Sequence, residues 1–492
     1  MKRRTTLKLL AGAAAVTGLE ASLPVIARAA EARPNIVVVV IDDLRWDELG
    51  CSGHPYLETP NIDRIARESA TFTRAFHSTP LCSPNRACIL TGEYVTKHGI
   101  YNNVGRDRLS AQLRTFPRTL QAAGYQTAFI GKWHMGDSPK PRSGFDYWVS
   151  FAGQGKIVDP ELYEGDGLRR VPGYVTDILT DRALQFIERR RDRDKPFCLI
   201  LGHKAIHPDA TQRADASIDM SAPMGYLAAE RHRGRYAGKT YPKARSADPA
   251  DASRIGSEVL RRILERKSSA ETLREHGATM QEGADQQGIR DRAEMMLAVD
   301  ESIGRLRAAL ESARLLDDTV FVFTSDNGYF FGEHGLTVER RFPYEECIRS
   351  PLLVRYPPRF KAGDRIDGLV SMIDIAPTLL QLAGIPPPSH IQGRSLLPLA
   401  SGNADAWRSS VLVEYYSHDQ PMPWILDVDY RAVRTQRHKL IHWTQYPELD
   451  ELYDLETDPL EMQNLAGRAD ASSLKTSLRA ELLRLVGESL SL

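Results

Sequence analysis

Four apolar runs of strand length constrain the fold of this 492-residue chain more than any other feature. They lie at residues 36–41, within "QTAFIGKWHMG", at 197–201 and at 320–323, and helical patterns separate them. In "NIVVVVIDD" the β-branched residues follow one another without polar alternation. Such runs are typical of strands covered on both faces, and their alternation with helices predicts an α/β sandwich with a mainly parallel sheet.

Each apolar run ends in residues that can bind a metal or an anion. The endings are Asp42-Asp43, Lys132 with His134, His203-Lys204 with His207, and Asp326-Asn327. Ligands of open α/β sheets bind beyond the carboxyl ends of the strands, which is where all four endings fall. Any one ending would also fit a solvated turn, but the four together predict one shared site.

The acidic and amide endings form a hard ligand set that contains only oxygen donors: Asp42, Asp43, Asp326 and Asn327. Such a set suits Ca²⁺ or Mg²⁺ and not zinc, which prefers His and Cys ligands. Adjacent carboxylates repel each other at neutral pH unless a cation lies between them. The endings also contain cationic and imidazole side chains, Lys132, His134 and His207. They suit an anionic substrate held beside the metal.

The segment "LCSPNRACILTG", residues 81–92, leaves several roles open for Cys82: a disulfide partner, a buried small residue, a thiol nucleophile or something else. Ser83 suits the N-cap of a helix, Pro84 suits its first position, and Gly92 suits its end. Cys82 would then precede a helix N-terminus, where the dipole and Arg86 favour negative charge. This position predicts a lowered thiol pKa and a catalytic thiolate.

The same segment resembles the signature of the sulfatase family, Cys-x-Pro-x-Arg followed by Thr-Gly, in which the cysteine is oxidised to formylglycine. Cys82, Pro84, Arg86 and Thr91-Gly92 match it. Further family-like segments follow in order, among them "GKWHMG", "TSDNGYFFGEHG", "YEECIRSPLLVRYP" and "ELYDLETDPLEMQNLA". The resemblance spans about residues 34 to 467. The signature alone would be weak evidence, but the ordered set is specific.

The resemblance implies a role for each matching position. The divalent cation, Ca²⁺ by expectation with Mg²⁺ as the alternative, would be held by Asp42, Asp43, modified Cys82, Asp326 and Asn327. The sulfate or the formylglycine would contact Arg86, Lys132, His134 and His207. Arg340 stands where the family usually has a lysine near the leaving-group oxygen. Arginine keeps the charge but does not give up a proton, so His207 becomes the better leaving-group acid.

The chemistry of hydrated formylglycine explains why a cysteine would be modified. The metal would lower the pKa of one of its two hydroxyls, and a carboxylate such as Asp326 would take the proton. That oxygen would attack sulfur while the alcohol leaves, protonated by His207 or Lys132. The second hydroxyl would then let the covalent intermediate break down. A serine or cysteine lacks that second hydroxyl.

The resemblance also implies a domain organisation. We expect an alkaline-phosphatase-like catalytic domain at 34–385 and a C-terminal subdomain at 386–492 with an antiparallel sheet and a helix. A polar insertion at about 209–290 would be a lid that shapes substrate choice, or an ordinary surface insertion or oligomer contact. Within it, "EVLRRILERKSSAETLREHG" reads as an amphipathic helix. The aromatic segments "EYYSHDQPMPW" and "RHKLIHW" would face a sugar or belong to the sheet.

Residues 1–30 resemble a twin-arginine export signal, with Arg3-Arg4, a modest apolar stretch and small residues that suit cleavage. We therefore expect a periplasmic or secreted protein without a membrane anchor after processing. Its partners would include the twin-arginine export machinery. Because that machinery carries folded proteins, a cytoplasmic formylglycine-generating enzyme could modify Cys82 first. Five scattered cysteines do not make a disulfide scaffold.

The sequence thus predicts an exported sulfuric-ester hydrolase that acts on a sulfated carbohydrate. The enzymatic alternative is a phosphodiesterase or phosphonate monoester hydrolase with the same nucleophile. The non-enzymatic alternative is a glycan-binding pseudoenzyme, which the full set of nucleophile, base and electrophile disfavours. A formal net charge of zero gives no global field for binding nucleic acid, which is not an expected partner.

Overall fold

The computed structural model describes residues 33–189, 192–213, 215, 219, 225–247, 257–268, 285–336, 340–417 and 428–491. The expected export signal, residues 1–30, lies outside these ranges, as do several stretches of the insertion expected at 209–290 and most of "EYYSHDQPMPW". Among the described residues, no helix combines the length and the apolar character that a membrane crossing requires.

The four predicted strands are neighbours at the centre of a ten-stranded sheet. In chain order the described strands are β1 Asn35–Ile41, β2 Ala70–Phe72, β3 Ala75–Phe76, β4 Gln126–Gly131, β5 Tyr147–Ser150, β6 Glu161–Glu164, β7 Gly167–Arg170, β8 Phe197–Gly202, β9 Thr319–Ser325, β10 Arg349–Ser350, β11 Leu352–Arg355, β12 Arg365–Ile366, β13 Val370–Ser371, β14 Ser410–Tyr415, β15 Tyr430–Thr435, β16 His438–Trp443 and β17 Glu451–Asp454. The large sheet runs β12-β2-β11-β9-β1-β8-β4-β5-β6-β7. Its central strands β9, β1, β8 and β4 pair in parallel, so their carboxyl ends share one edge.

Helices cover both faces of this sheet, which explains the unbroken apolar runs. The described helices are α1 Pro60–Glu68, α2 Cys82–Thr91, α3 Val95–His98, α4 Asp107–Gln112, α5 Phe116–Ala122, α6 Val175–Arg189, α7 Glu258–Lys267, α8 Gln286–Ser312, α9 Glu345–Ile348, α10 Ile375–Leu382, α11 Leu397–Ala400 and α12 Ser472–Leu490. The odd-numbered residues of β1 pack with α1, α6 and α8, and the even-numbered ones pack with α2, α5 and α10. The α/β sandwich is confirmed.

A second, antiparallel sheet of β14, β15, β16 and β17 follows in that order, as predicted for the C-terminal part. One face packs against α12 through Leu412, Val433 and Leu440. The other face, which includes Tyr415 and Trp443, joins the apolar cluster of Phe330 and Phe342. The sequence left open whether "EYYSHDQPMPW" and "RHKLIHW" face a sugar or belong to the sheet. Tyr415 and Trp443, one from each segment, are buried sheet residues. Residues Arg33–Leu492 form one compact unit, and a boundary near residue 385 stays a prediction.

Part of the polar insertion is packed against the C-terminal sheet. The predicted amphipathic helix is present as α7, and residues 269–277 of its pattern lie outside the described ranges. Ser257 caps α7 and donates a hydrogen bond to the buried carboxylate of Glu451. Val259, Leu260 and Ile263 are buried in the same cluster as Trp443. This helix is therefore anchored in the core.

Candidate active site

The carboxyl ends of the central strands bring oppositely charged side chains into one buried cluster. Lys132, directly after β4, forms an ion pair with Oδ2 of Asp42, directly after β1. Arg86, in α2, donates to Oδ2 of Asp326 at 2.8 Å and to the backbone carbonyl of Lys132 at 2.7 Å. All four residues are buried. Charges removed from water in this way require such pairing.

Asp43 makes a tight turn beside this cluster. Its backbone is left-handed, with φ of 59°, which is uncommon for a residue other than glycine. Its N–H donates to Oδ1 of Asp326 at 3.1 Å, and Nδ2 of Asn327 donates to its Oδ1 at 2.6 Å. The turn brings Asp43, which follows β1, against Asp326 and Asn327, which follow β9.

Arg292 of α8 supports the same turn, although the sequence analysis did not identify it. Its Nη2 donates to the backbone carbonyl of Asp43 and to Glu48, both at 2.7 Å, and its guanidinium carbon lies 4.3 Å from the centre of the Tyr329 ring. Arg292 is fully buried. A sequence signal existed, because Arg292 lies three residues after Ile289 on the apolar face of α8.

Two oxygen atoms of the cluster, Asp42 Oδ1 and Asn327 Oδ1, lack a hydrogen-bond partner within the described part of the chain, and Asp43 Oδ2 has only an ion pair with Arg340. Buried polar atoms are ordinarily hydrogen-bonded, so such a group of oxygens calls for an explanation. Ligand atoms of Asp42, Cys82 and Asp326 also lie within 4.8 Å of one another. Together these donors fit a hard divalent cation such as Ca²⁺ or Mg²⁺.

The start of α2 differs from the prediction. The helix begins at Cys82 with Leu81 as its N-cap, so the assignment of Ser83 as N-cap is wrong. Oγ of Ser83 donates instead to the backbone carbonyl of His134 at 2.6 Å. The Ser83 N–H donates to Oδ1 of Asn103 at 3.1 Å. Asn103, 20 residues away, thus supplies the acceptor that a capping side chain would have provided.

Pro84 is consequently the third residue of α2 and not the first. The predicted end is confirmed, because Gly92 follows the helix with a φ of 71°. Cys88 is buried in an apolar cluster, as expected of a packing residue, and its Sγ lies 3.3 Å from Nε2 of His98.

The predicted low pKa of the Cys82 thiol is wrong. Burial raises this pKa to about 12, and the carboxylates of Asp42 and Asp326 act in the same direction. Lys132 and Arg340 lower it, but they do not offset the burial. An unmodified Cys82 is therefore protonated at neutral pH and is a poor nucleophile, because the thiolate is the reactive form.

His134 lies beside Ser83 at the N-terminus of α2. Its Nδ1 lies 3.3 Å from Oγ of Ser83, and its Nε2 lies 2.8 Å from Oε1 of Gln212. Burial, followed by the charge of Lys132, holds its pKa well below the usual range. Gln212 comes from the polar insertion, and no local sequence signal marked it as a site residue.

His207 connects the cluster to Arg340. Its Nδ1 lies 2.8 Å from the carbonyl oxygen of Pro208, which can only accept, so Nδ1 carries a proton. Its Nε2 therefore accepts from Nη2 of Arg340 at 2.9 Å. Arg340 Nη1 also lies 3.2 Å from Oδ2 of Asp43. Burial, followed by the charge of Lys132, holds the pKa of His207 well below its usual range.

The two remaining residues of the third strand ending lie in different surroundings. His203 faces α8, where its Nε2 lies 3.1 Å from Oγ of Ser302, so it is outside the cluster. Lys204 is buried and donates to the Pro208 carbonyl at 3.1 Å, the same oxygen that His207 contacts. Burial, with repulsion from Lys132, lowers the pKa of Lys204 to about 8.

The two carboxylates nearest Cys82 have opposite shifts in pKa. Burial and then the charge of Asp42 raise the pKa of Asp326 to about 7. Burial would also raise the pKa of Asp42, but Lys132, His207 and Arg86 together lower it. One of these buried carboxylates is therefore firmly ionised and the other is able to exchange a proton near neutral pH.

The chain matches the sulfatase family over residues 34–385. Residues 332–488 match the C-terminal domain described for N-sulphoglucosamine sulphohydrolase. The first match covers more than half of the chain, and it includes every residue of the candidate site, because these residues lie between Asp42 and Arg340.

Individual relatives agree with this match. An N-acetylglucosamine-6-O-sulfatase from Bacteroides thetaiotaomicron is 36% identical over 491 residues, covering 91% of this chain and 85% of that protein. A solved structure of a protein in complex with its substrate, D-glucosamine-2-N,6-O-disulfate, has a TM-score of 0.77 and 32% identity, covering 93% and 98% of the two chains. A multifunctional alkaline phosphatase superfamily protein from Trinickia caryophylli is 28% identical, covering 88% of this chain and 91% of that protein.

Proposed function

The chain belongs to the sulfatase family and is a sulfatase, and we propose that it is an exported enzyme that removes the 6-O-sulfate from glucosamine units of a sulfated glycan. One observation carries the proposal: Cys82, Asp42 and Asp326 form a buried cluster with Lys132 and Arg86 in a chain that is 36% identical to an N-acetylglucosamine-6-O-sulfatase. The ligand of the solved relative, a 6-O-sulfated glucosamine, supports the same substrate class.

We assign the divalent cation of the family to Asp42, Asp43, Asp326, Asn327 and residue 82. The oxygen donors of the four Asp and Asn residues, including the unpartnered Asp42 Oδ1 and Asn327 Oδ1, favour Ca²⁺, with Mg²⁺ as the alternative. When bound, the cation would supply Lewis-acid stabilisation of charge on the sulfuryl group. Arg292 is a positioning residue for the Asp43 turn, because it contacts the backbone carbonyl of Asp43 and not the donor oxygens, and Glu48 holds Arg292 in place.

Cys82 is the proposed precursor of formylglycine, whose hydrate would supply the nucleophilic hydroxyl. The high pKa of the thiol supports this assignment over a thiolate nucleophile, because a protonated thiol attacks poorly. Asp326 is the candidate base, because its carboxylate lies in the same cluster as residue 82 and a carboxylate there can take up the hydroxyl proton. Lys132, Arg86 and His134 contact Asp42, Asp326 and Ser83, the neighbours of residue 82, and would bind the sulfuryl oxygens.

His207 is the proposed leaving-group acid. Its Nδ1 is committed to the Pro208 carbonyl, so a proton can be exchanged only at Nε2. Arg340 contacts that atom and cannot itself act as an acid at neutral pH. We therefore assign Arg340 to charge stabilisation of the leaving oxygen.

Three further expectations belong to the same proposal. Residues 1–30 would direct export through the twin-arginine machinery, and a cytoplasmic formylglycine-generating enzyme would act on Cys82 beforehand. Residues 34–385 would form the catalytic domain and 386–492 the C-terminal subdomain. The described part of the insertion would shape substrate choice through Gln212, which contacts His134.

The proposal is tested by measuring release of sulfate from N-acetylglucosamine-6-sulfate and from N-acetylgalactosamine-6-sulfate, alongside hydrolysis of a phosphodiester and a phosphonate monoester. We expect the first compound to have the highest kcat/KM, and Cys82→Ala to abolish turnover. Cys198→Ala is the matched control, because Cys198 is a buried cysteine in β8 outside the site. If the phosphodiester or the phosphonate monoester is hydrolysed with the highest kcat/KM, the proposed sulfatase activity is wrong. If the protein binds the glycan but turns over none of these compounds, it is a pseudoenzyme.

A further inference from the structure

A large cavity is lined by residues outside the metal-ligand cluster, of which Arg45 follows Asp43 by two residues. It has a volume of about 1200 Å³ and is lined by the segment after the Asp43 turn, by β10 and by the turn between β15 and β16. None of the residues assigned to catalysis or metal binding lines it. Tyr430 at the start of β15 contacts the backbone of Arg341 at 2.9 Å, beside the active site, whereas Arg434 of the same strand lines the cavity. The rise along a strand places the Cα atoms of Tyr430 and Arg434 about 13 Å apart.

The cavity carries an excess of cationic groups over carboxylates. Eight Lys and Arg residues line it, against six Asp and Glu residues. The carboxylates are largely committed, since Arg45 binds Asp47 and Glu333, and Arg434 binds Glu345. In the described part of the chain, four cations of the cavity have no carboxylate partner: Arg74, Lys243, Arg245 and Arg365. The last three are exposed, and we call them the rim cations.

Two further features add to this positive potential. Burial lowers the pKa of Arg349; the carboxylates of Glu345 and Asp47 oppose this shift, whereas Arg434 and Arg74 add to it because like charges repel. Burial and the neighbouring Glu333 raise the pKa of Glu346 to about 8, so this lining carboxyl is largely neutral at pH 7. An anion in the cavity would relieve the repulsion.

We propose that this cavity binds a sulfate- or carboxylate-bearing sugar unit of the glycan, distant from the unit whose ester is hydrolysed. Guanidinium groups form paired hydrogen bonds with planar or tetrahedral oxyanions, which is the chemistry that acidic glycans offer. A volume of about 1200 Å³ exceeds that of common small-ligand sites and suits more than one sugar ring. The choice of a glycan as the ligand depends on the proposed function.

The alternative anionic polymer is single-stranded nucleic acid, which proteins bind through stacking of bases on aromatic rings. Two aromatic residues line the cavity: the guanidinium of Arg349 lies 3.7 Å from the centre of the Trp46 ring and covers one face of it, and the Tyr241 ring packs against His54 and Phe331. Ionic contacts without base stacking therefore favour a sulfated glycan.

The test measures binding directly and does not depend on turnover. The full chain is titrated calorimetrically with an N- and 2-O-sulfated hexasaccharide that lacks 6-O-sulfate. The variant Lys243→Ala/Arg245→Ala/Arg365→Ala should weaken binding by about tenfold, since each exposed ion pair contributes little alone. The control Arg169→Ala/Lys195→Ala/Lys361→Ala removes three exposed cations from elsewhere on the surface and should leave binding unchanged.

Kinetics then separate this site from the catalytic one. Hydrolysis of N-acetylglucosamine-6-sulfate should be equal in the wild type and in the rim variant, whereas KM for a 6-O-sulfated hexasaccharide should rise only in the rim variant. Equal hexasaccharide binding by the wild type and the rim variant would overturn the proposal. Tighter binding of a DNA oligonucleotide of equal charge, lost in the rim variant, would also overturn it. Absence of sulfatase turnover with intact binding would refute the proposed function alone.

Discussion

Arg340 donates a hydrogen bond to Nε2 of His207 at 2.9 Å, and the roles proposed for the two residues at the leaving group depend on this contact. A histidine that accepts at Nε2 and donates at Nδ1 is neutral, so the positive charge belongs to Arg340. To act as an acid, His207 would have to take up at Nε2 the proton that the attacking hydroxyl releases, and the Arg340 hydrogen bond to that atom would have to break. Arginine at position 340 therefore leaves the acid role to its neighbour.

Replacing Arg340 tests this division. Arg340→Met removes the charge beside His207 and Asp43 and should lower kcat by about 10²- to 10³-fold, the usual effect of losing one preorganised donor. Arg340→Lys keeps the charge and should retain most of the activity. Steady-state kinetics on N-acetylglucosamine-6-sulfate distinguish the two, and a Met variant with the wild-type kcat would show that position 340 does not stabilise the leaving oxygen.

Removal of the divalent cation should abolish turnover and lower the thermal midpoint, because Asp42, Asp43 and Asp326 then lie close together without a neutralising charge. Ca²⁺ should restore both properties after chelation. Asn327→Ala should weaken Ca²⁺ binding, as measured by the shift in midpoint with Ca²⁺ concentration. Activity that survives exhaustive chelation would contradict the metal assignment.

Arg292 should matter for both stability and metal affinity. Arg292→Met leaves Glu48 buried without its partner, and breaking a buried ion pair from one side costs about 3–5 kcal/mol. Adding Glu48→Gln should recover part of that free energy of unfolding in urea. Because the guanidinium also contacts the Asp43 carbonyl, the double variant should still bind Ca²⁺ more weakly than the wild type. Unchanged affinity would mean that Arg292 serves packing alone.

Acid should destabilise the protein through buried histidines outside the metal cluster. Burial lowers the pKa of His77, His98, His203 and His334 to about 3 in each case. Since these values lie below that of an unfolded histidine, protons bind preferentially to the unfolded chain. The contribution is complete above about pH 6.5 and is lost as pH falls towards 3, at about 1.4 kcal/mol per unit and group.

Urea unfolding at pH 7 and at pH 5 measures this loss. His98→Gln removes one titrating group and should lose less stability between the two pH values than the wild type, whatever its stability at pH 7. An identical loss in both proteins would mean that His98 does not titrate in the way its burial implies.

The sequence predicts the central sheet well, because apolar runs and their polar endings are local patterns and parallel pairing brings the endings to one edge. It does not predict that Asn103 completes the start of α2, since that contact spans 20 residues. The thiol pKa was also mispredicted, because the helix dipole is visible in the sequence while complete burial of Cys82 is not. Gln212 reaches His134 from a loop, and no periodic pattern marks such a residue.

The modification state of residue 82 tests the account most directly. Trypsin releases residues 75–86 as one peptide, which mass spectrometry can compare between active wild-type protein and the Cys198→Ala control. The account predicts the exchange of one sulfur and two hydrogens for one oxygen at residue 82, a carbonyl that reacts with a hydrazide probe, and sulfate release in proportion to the modified fraction. An unmodified thiol in fully active protein would contradict the proposed nucleophile.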